Sequence, residues 1–269
     1  MERDPQVSER MSHMFINRIM TQNDKEFYQN EGYLRVGPTL TEEGLTEMRR
    51  QCMEAWNTDK TQFNPDGTWL QNALLGDIHH RSPIVRDFYF GGPLADMASQ
   101  LIGPNIKAAT SQLTFKMRGN TQAFGWHQDN GYGELDPYNT ISTLTALDDA
   151  DERNGCLWII PGSHLGGQID VADQAKTESK AALASIDVAV DEGRTIPVPM
   201  RAGESILFHC WTLHKSQGNM SRDRDRRLLF LRYADADAVE VYNGRKPRLG
   251  KLLRGATRFA EVQEFEASL

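Results

Sequence analysis

Two periodicities divide the chain. After Thr41 the apolar positions Leu45, Met48, Cys52 and Trp56 recur every three or four residues, the repeat of a helix that buries one face. Thr41 is suited to cap its start, and Glu42 and Glu43 in the first turn favour the helix dipole. A shorter helix is expected over 23–30, stopped by Gly32 and followed by a strand over 33–36. Two more short helices fit 83–90 and 93–102. Residues 1–21 carry no sustained periodicity and are expected to form a flexible, fraying segment.

Beyond residue 104 the texture changes. The stretches 106–116, 140–147, 156–160, 195–199, 205–209 and 227–233 are rich in β-forming residues and are separated by Gly, Pro, Asn and Asp. Residues 172–185, rich in Ala and Lys, read as a helical insertion between strands. Helices first and many short strands after predict a mostly β domain with flanking α-helices, built as an antiparallel barrel or sandwich. No strand leads into GxGxxG and no βαβ order is present, so a dinucleotide fold is excluded. With no repeat and no low-complexity linker, 22–269 is expected to be a single domain with its β core over about 104–240.

Composition narrows the function classes. The 269 residues are 39% hydrophobic and 25% charged, which excludes bulk disorder, and no apolar run approaches a membrane span. The net charge of −7 argues against nucleic acid as a partner. Cys52, Cys156 and Cys210 are too few and too scattered for a disulfide framework or a CxxC zinc site, and they suit a reducing cytoplasm. One segment runs against the overall charge: Arg245, Lys246, Arg248, Lys251, Arg254 and Arg258 lie within fourteen residues that contain no acid. They form either a solvated basic face or a tail covering an anionic ligand or a partner subunit, so assembly into an oligomer stays open.

Of the seven histidines, His127 stands out, in Phe124-Gly125-Trp126-His127-Gln128-Asp129. In extended chain, residues two apart point to one side, so His127 and Asp129 can grip one ion together. His214, after the turn and strand of 203–209, supplies a second imidazole. Two imidazoles and one carboxylate on one face of an octahedral ion leave three positions open, the arrangement of non-haem Fe(II) oxygenases. His13, His79 and His80 read as structural, His164 as stabilising a Pro-Gly-Ser-His turn. His209, an odd number of residues before His214, is expected to face away from the metal.

These motifs resemble the phytanoyl-CoA dioxygenase-like (PhyH) family of Fe(II)/2-oxoglutarate oxygenases. The likeness rests on Trp126-His127-Gln128-Asp129, on Ala146-Leu147-Asp148-Asp149 leading to Asn154-Gly155-Cys156-Leu157, and on Pro161-Gly162-Ser163-His164. It continues through Gly203-Glu204, Phe208-His209, His214-Lys215-Ser216 and Arg226, and so spans roughly 102–239. It implies a double-stranded β-helix (jelly roll, cupin-like), with His127, Asp129 and His214 as iron ligands and 2-oxoglutarate and O₂ as cosubstrates. The family's arginine for the distal carboxylate lies about eleven residues after the last histidine. That count lands on Asp225; registering on the strand that follows favours Arg226 over Arg224, with a one-residue loop insertion. Ser216 matches a hydroxyl that helps hold the same carboxylate, and Gln112 a polar cosubstrate contact. Guanidinium suits the task because it is planar, always charged and bidentate.

Trp126, Tyr132, Tyr138 and Trp211 either line a substrate pocket or pack the mouth of the barrel, Tyr132 being the best pocket residue because glycines flank it. The implied reaction is hydroxylation of an aliphatic C–H in a small molecule, with 2-oxoglutarate decarboxylated to succinate and CO₂. Desaturation, ring formation or epimerisation by the same chemistry are alternatives, as is a silent jelly-roll sensor. Halogenation is disfavoured because Asp129 is present. The substrate classes open to it are amino-acid-derived compounds, phosphonates and specialised metabolites. No nucleotide-binding signature points to a CoA thioester.

Overall fold

The structure, a computed structural model, describes residues 13–63, 72–119, 121, 123–130, 134–169 and 188–269. The strands are β1 (Tyr33–Pro38), β2 (Asn72–Gly76), β3 (Ile106–Lys116), β4 (Phe124–His127), β5 (Leu135–Asp136), β6 (Thr140–Ala146) and β7 (Leu157–Ile159). They continue with β8 (Ile196–Val198), β9 (Glu204–His209), β10 (His214–Ser216), β11 (Arg226–Asp235), β12 (Val239–Glu240), β13 (Lys246–Pro247) and β14 (Leu252–Arg254). A seven-stranded antiparallel sheet runs β1-β9-β6-β11-β3-β14, with β2 also on β3. A four-stranded sheet, β4-β10-β7-β8, faces it, and a three-stranded sheet of β13-β12-β5 lies alongside. This is the mostly β, helix-flanked jelly roll that the motifs imply.

Alternation along the strands of the large sheet separates its two faces. Leu113, Phe115, Ile141, Leu207, Leu229, Leu231 and Tyr233 join the helices in one core, against Met48, Cys52, Trp56, Phe88 and Met97. Leu144, Ala146, Ile206, Phe208 and Leu228 turn the other way, onto Leu157, Ile159 and Val198 of the small sheet. Each such side chain contributes about 1.5–3 kcal/mol on burial. All seven residues of β6 are buried because it carries a layer on both faces.

The phase of β3 changes once. Arg232 pairs with Thr110 but Tyr233 with Ala108, so Ala109 is an extra residue, a bulge. Upstream of it the even positions Ile106 and Ala108 reach the helix core; downstream the odd positions Leu113 and Phe115 do. Tyr89 satisfies the disrupted ladder: its hydroxyl accepts from the N–H groups of Ala109 (2.7 Å) and Thr110 (3.0 Å) and donates to the carbonyl of Arg232 (2.7 Å).

The predicted helices appear as Gln22–Glu31, Glu42–Phe63, Pro83–Gly91 and Pro93–Ile102. Thr21 and Asp24 form a capping box at the first, and Gly32 ends it at φ +77°. The segment expected to fray through residue 21 is packed from Phe15 onward. Phe15 bridges Leu40, Ile16 donates to the Thr39 carbonyl, and Phe15 and Met20 are buried. Two aromatic or thioether side chains docking on a preformed core outweigh the missing periodicity there. The two- and three-residue strands β5, β10, β12, β13 and β14 lack enough residues to show alternation and are absent from the sequence reading, as is the five-residue β2. The expected helix over 172–185 lies outside the described residues.

The basic segment is tied to the body rather than open: Arg248 pairs with Glu240 (2.8 Å), Arg254 with Asp96 (2.7 Å), and Arg245 with Asp136. Among the described residues, no helix is long and apolar enough to cross a membrane.

Gly32 and Gly37 share the left-handed region (φ +77° and +80°), but a Cβ on Gly32 would sit 2.4 Å from Nδ1 of His164, whereas one on Gly37 would meet nothing within 4 Å. Gly37→Ala is therefore expected to cost only the backbone term, about 1–2 kcal/mol. Gly32→Ala should cost at least about 1 kcal/mol more. Denaturant unfolding of both variants checks the difference.

Candidate active site

Both sheets contribute to one cavity of about 190 Å³, against the roughly 10–15 Å³ that a single water needs. From the small sheet, His127 at the end of β4 pairs in register with His214 at the start of β10, and Ser216 pairs with Phe124. The imidazole rings lie 4.2 Å apart. Asp129, two residues beyond β4, reaches back with Oδ1 3.5 Å from His214 Nε2 and 4.0 Å from His127 Nε2. The ligand atoms of the three residues lie within 4.8 Å of one another.

Each ligand is oriented from behind. His127 Nδ1 meets the Gly125 carbonyl at 2.7 Å and His214 Nδ1 meets that of Thr212 at 2.9 Å. With Nδ1–H donating to a carbonyl, Nε2 carries the free lone pair, the form a metal needs. Ser142 of β6 donates its hydroxyl to Asp129 Oδ2. Burial pushes His127 down to about 4, with His214 adding to the shift. Burial alone would raise the Asp129 carboxyl, but His214, Arg232 and His127 outweigh it and hold it below the usual carboxylate range. The trio is thus a carboxylate facing two imidazoles, a donor set that fits a hard-to-borderline divalent ion such as Fe(II).

The large sheet supplies the opposite wall. Alternation after the bulge turns Gln112, Thr114 and Lys116 of β3 to the cavity side, beside Phe230, Leu228 and Arg226 of β11. Arg226 is 2% exposed, donates to Thr114 Oγ1 (3.0 Å), and leaves its Nε without a partner. Burial lowers its pKa to about 10, which still leaves it charged at neutral pH. A buried guanidinium that lines a cavity, with no acid hydrogen-bonded to it among the described residues, fits an anionic ligand such as a carboxylate. Arg224, by contrast, pairs with Asp151 (2.8 Å) and is 37% exposed, and Asp225 pairs with Arg118 (3.2 Å).

Lys116 went unnoticed in the sequence reading. It is 1% exposed, and its Nζ donates to Ser216 Oγ (2.8 Å) and to the carbonyls of Ser216 (3.1 Å) and Gln217 (2.5 Å). Burial pushes it down to about 6, with Arg226 adding. The alternation of polar Gln112, Thr114 and Lys116 with apolar Leu113 and Phe115 was the available signal. Ser142 gave none, being one hydroxyl among several in β6.

The aromatic expectations fare differently. Trp126 is buried on the outer face of the small sheet, packed with Ile160 and Leu213 and donating Nε1 to Glu192 (2.9 Å). Since His127 faces the cavity, its strand neighbour must face away; Trp126 is not a pocket residue. Trp211 sits in the turn before β10, 4.9 Å from the ring of Tyr138, and does not line the cavity. Tyr132 lies outside the described residues. His209 does point away from the metal cluster, but not by strand parity. It closes β9 in the large sheet while His214 opens β10 in the small one, and its ring lies 5.3 Å from His164.

A family model described as Phytanoyl-CoA dioxygenase (PhyH) matches residues 28–228. The chain is 28% identical over 190 residues to phytanoyl-CoA dioxygenase 1 of Oryza sativa subsp. japonica, covering 68% of this chain and 66% of that protein. It is 26% identical over 249 residues to the methylphosphonate hydroxylase of Gimesia maris, covering 87% and 89%. Among solved structures, the non-heme alpha ketoglutarate dependent carbocyclase SnoK from nogalamycin biosynthesis shares its fold at a TM-score of 0.69 and 24% identity, covering 88% of this chain and 95% of that one.

Two outcomes are expected from this geometry. Ser142→Ala, which frees one oxygen of Asp129, should weaken Co²⁺ binding at the triad by about 10- to 100-fold in calorimetry. Lys116 titrates near 6 when folded against about 10.4 when unfolded. Between those limits the unfolded chain holds more protons, so the penalty for burying Lys116 grows as pH falls from about 10 to about 6. Lys116→Met should flatten the rise of stability with pH across that window, measured by urea unfolding.

Proposed function

The chain belongs to the phytanoyl-CoA dioxygenase family, and from that premise we propose that it hydroxylates an aliphatic C–H bond of a small molecule, with decarboxylation of 2-oxoglutarate to succinate and CO₂. The observation that carries this reading is the convergence on one cavity of a His127–Asp129–His214 triad and the buried guanidinium of Arg226. His127, Asp129 and His214 would hold Fe(II), which when bound supplies the activation of dioxygen that no amino-acid side chain can perform.

The chain's own residues bind, orient and exclude. Arg226 would take the distal carboxylate of 2-oxoglutarate, its plane fixed by the bond to Thr114. Ser216 is a weaker aid than the family pattern suggests, because its hydroxyl already accepts from Lys116. Its O–H remains free to donate to the carboxylate, so Lys116 sets its direction. Gln112 offers an amide from the neighbouring wall. Leu144, Leu157, Phe208 and Leu228 keep the cavity apolar between these groups, which strengthens each charge–charge contact within it. Phosphonates, amino-acid-derived compounds and specialised metabolites are the substrate classes we favour.

Succinate should form only when Fe(II), 2-oxoglutarate and O₂ are all supplied, and His214→Ala should abolish it; undiminished turnover in that variant would overturn the reading. Arg226→Ala should raise the apparent KM for 2-oxoglutarate by about 30- to 1,000-fold, the worth of a desolvated bidentate pair of roughly 2–4 kcal/mol. Arg224→Ala should move it by less than about threefold, since an exposed pair contributes little. Mass spectrometry of the product distinguishes hydroxylation (one oxygen added) from desaturation (two hydrogens lost).

A further inference from the structure

On the helix side of the large sheet, away from the cavity, a second group of ligand-bearing side chains converges. His79 and His80 lie in the short 3₁₀ turn Ile78–His80, and Glu266 follows the C-terminal helix Ala260–Glu264. Among the described residues, only this trio and the cavity triad bring three His, Cys, Asp or Glu ligand atoms within 4.8 Å of one another.

Its geometry offers three ligand atoms to one ion. His79 is 7% exposed, and its Nδ1 meets Ser111 Oγ at 2.6 Å, which turns Nε2 toward the carboxylate. That is the outer support that fixes a ligating imidazole. Each carboxylate oxygen faces a different ring: Oε1 lies 2.5 Å from His80 Nε2, and Oε2 lies 3.4 Å from His79 Nε2, long for a hydrogen bond. The two rings lie 4.1 Å apart, so that one ion can meet the Nε2 of both. A divalent ion satisfies both nitrogens and the carboxylate at once, with both rings neutral. The exposed edge of His80 gives an entry path, and a water would complete a tetrahedron.

We propose that His79, His80 and Glu266 form a second metal site that takes Zn²⁺ and fastens the C-terminal end of the chain to the turn ahead of the Pro83–Gly91 helix. Two imidazoles with one carboxylate suit zinc in number and kind. Lys251 supports the same closure by donating Nζ to the Glu266 carbonyl (2.7 Å). This site is independent of the proposed oxygenase activity.

The test uses the full chain, stripped of metal, in a His127→Ala/His214→Ala background that disables the cavity triad. After loading with Zn²⁺ and gel filtration, elemental analysis should find one equivalent retained. His80→Ala or Glu266→Gln added to that background should reduce it to none. With Co²⁺ in place of zinc, the background variant should show the intense visible bands of four-coordinate cobalt, and the added substitutions should remove them. Zn²⁺ should also raise the melting temperature of the background variant by a few degrees and leave that of the Glu266→Gln derivative unchanged. No zinc retained in the background, or zinc retained undiminished after His80→Ala, overturns the proposal. Should the background variant fail to fold, the difference is read in the otherwise wild-type chain, where His80→Ala must hold one equivalent fewer.

Discussion

Side chains on a strand alternate between two faces, and in the large sheet that alternation decides whether a residue packs helices or builds the site. Leu229, Leu231 and Tyr233 of β11 lie among the helices, while Arg226, Leu228 and Phe230 look into the cavity. A shift of one residue anywhere in this pairing would exchange the two sets. The helices matter to the chemistry through this alone: by burying one face of the sheet they fix which groups the other face presents.

The cavity is electrically polarised. At one side Asp129 is held ionised by its neighbours; at the other Arg226 and Lys116 lie buried with no acid among the described residues hydrogen-bonded to either. Burial lowers the pKa of both: Arg226, pushed to about 10, stays charged at neutral pH, whereas Lys116, pushed to about 6 with Arg226 adding, is largely neutral there. Such an arrangement is unfavourable for the empty protein and becomes favourable when an anion enters, which is the logic of differential binding. The backbone carbonyls of Ser216 and Gln217 let Lys116 remain inside until then.

Long elements with strong periodicity were legible in the sequence. The helix Pro93–Ile102 and the strand β3 (Ile106–Lys116) were read to the residue, because each has a proline, glycine or loop near its limits and no such breaker within. The triad was legible because His127 and Asp129 are two apart and the family motif marks His214. The expectation of Arg226 over Arg224 came from the strand register; Arg226 lines the cavity and Arg224 pairs with Asp151. Trp126 was misplaced although the alternation that puts His127 and Asp129 on one side already turns it to the other. Inference along the chain also cannot see which sheet a strand joins. His209 was placed correctly through a wrong premise, since β9 and β10 belong to different sheets. Lys116 escaped because a lysine ending a strand ordinarily reaches solvent.

The bulge at Ala109 makes β3 two strands laid end to end, with opposite phase. The stretch before it keeps Ile106 and Ala108 under the helices; the stretch after it delivers Gln112, Thr114 and Lys116 to the site. Length, not composition, is therefore the sensitive variable here. Losing Ala109 would leave every other amino acid in place while forcing one half of the strand to turn inside out. A lineage carrying this domain can accept many substitutions along β3 but has little freedom to add or remove a residue. The hydroxyl of Tyr89, on a different element, acts as the ratchet that keeps the count.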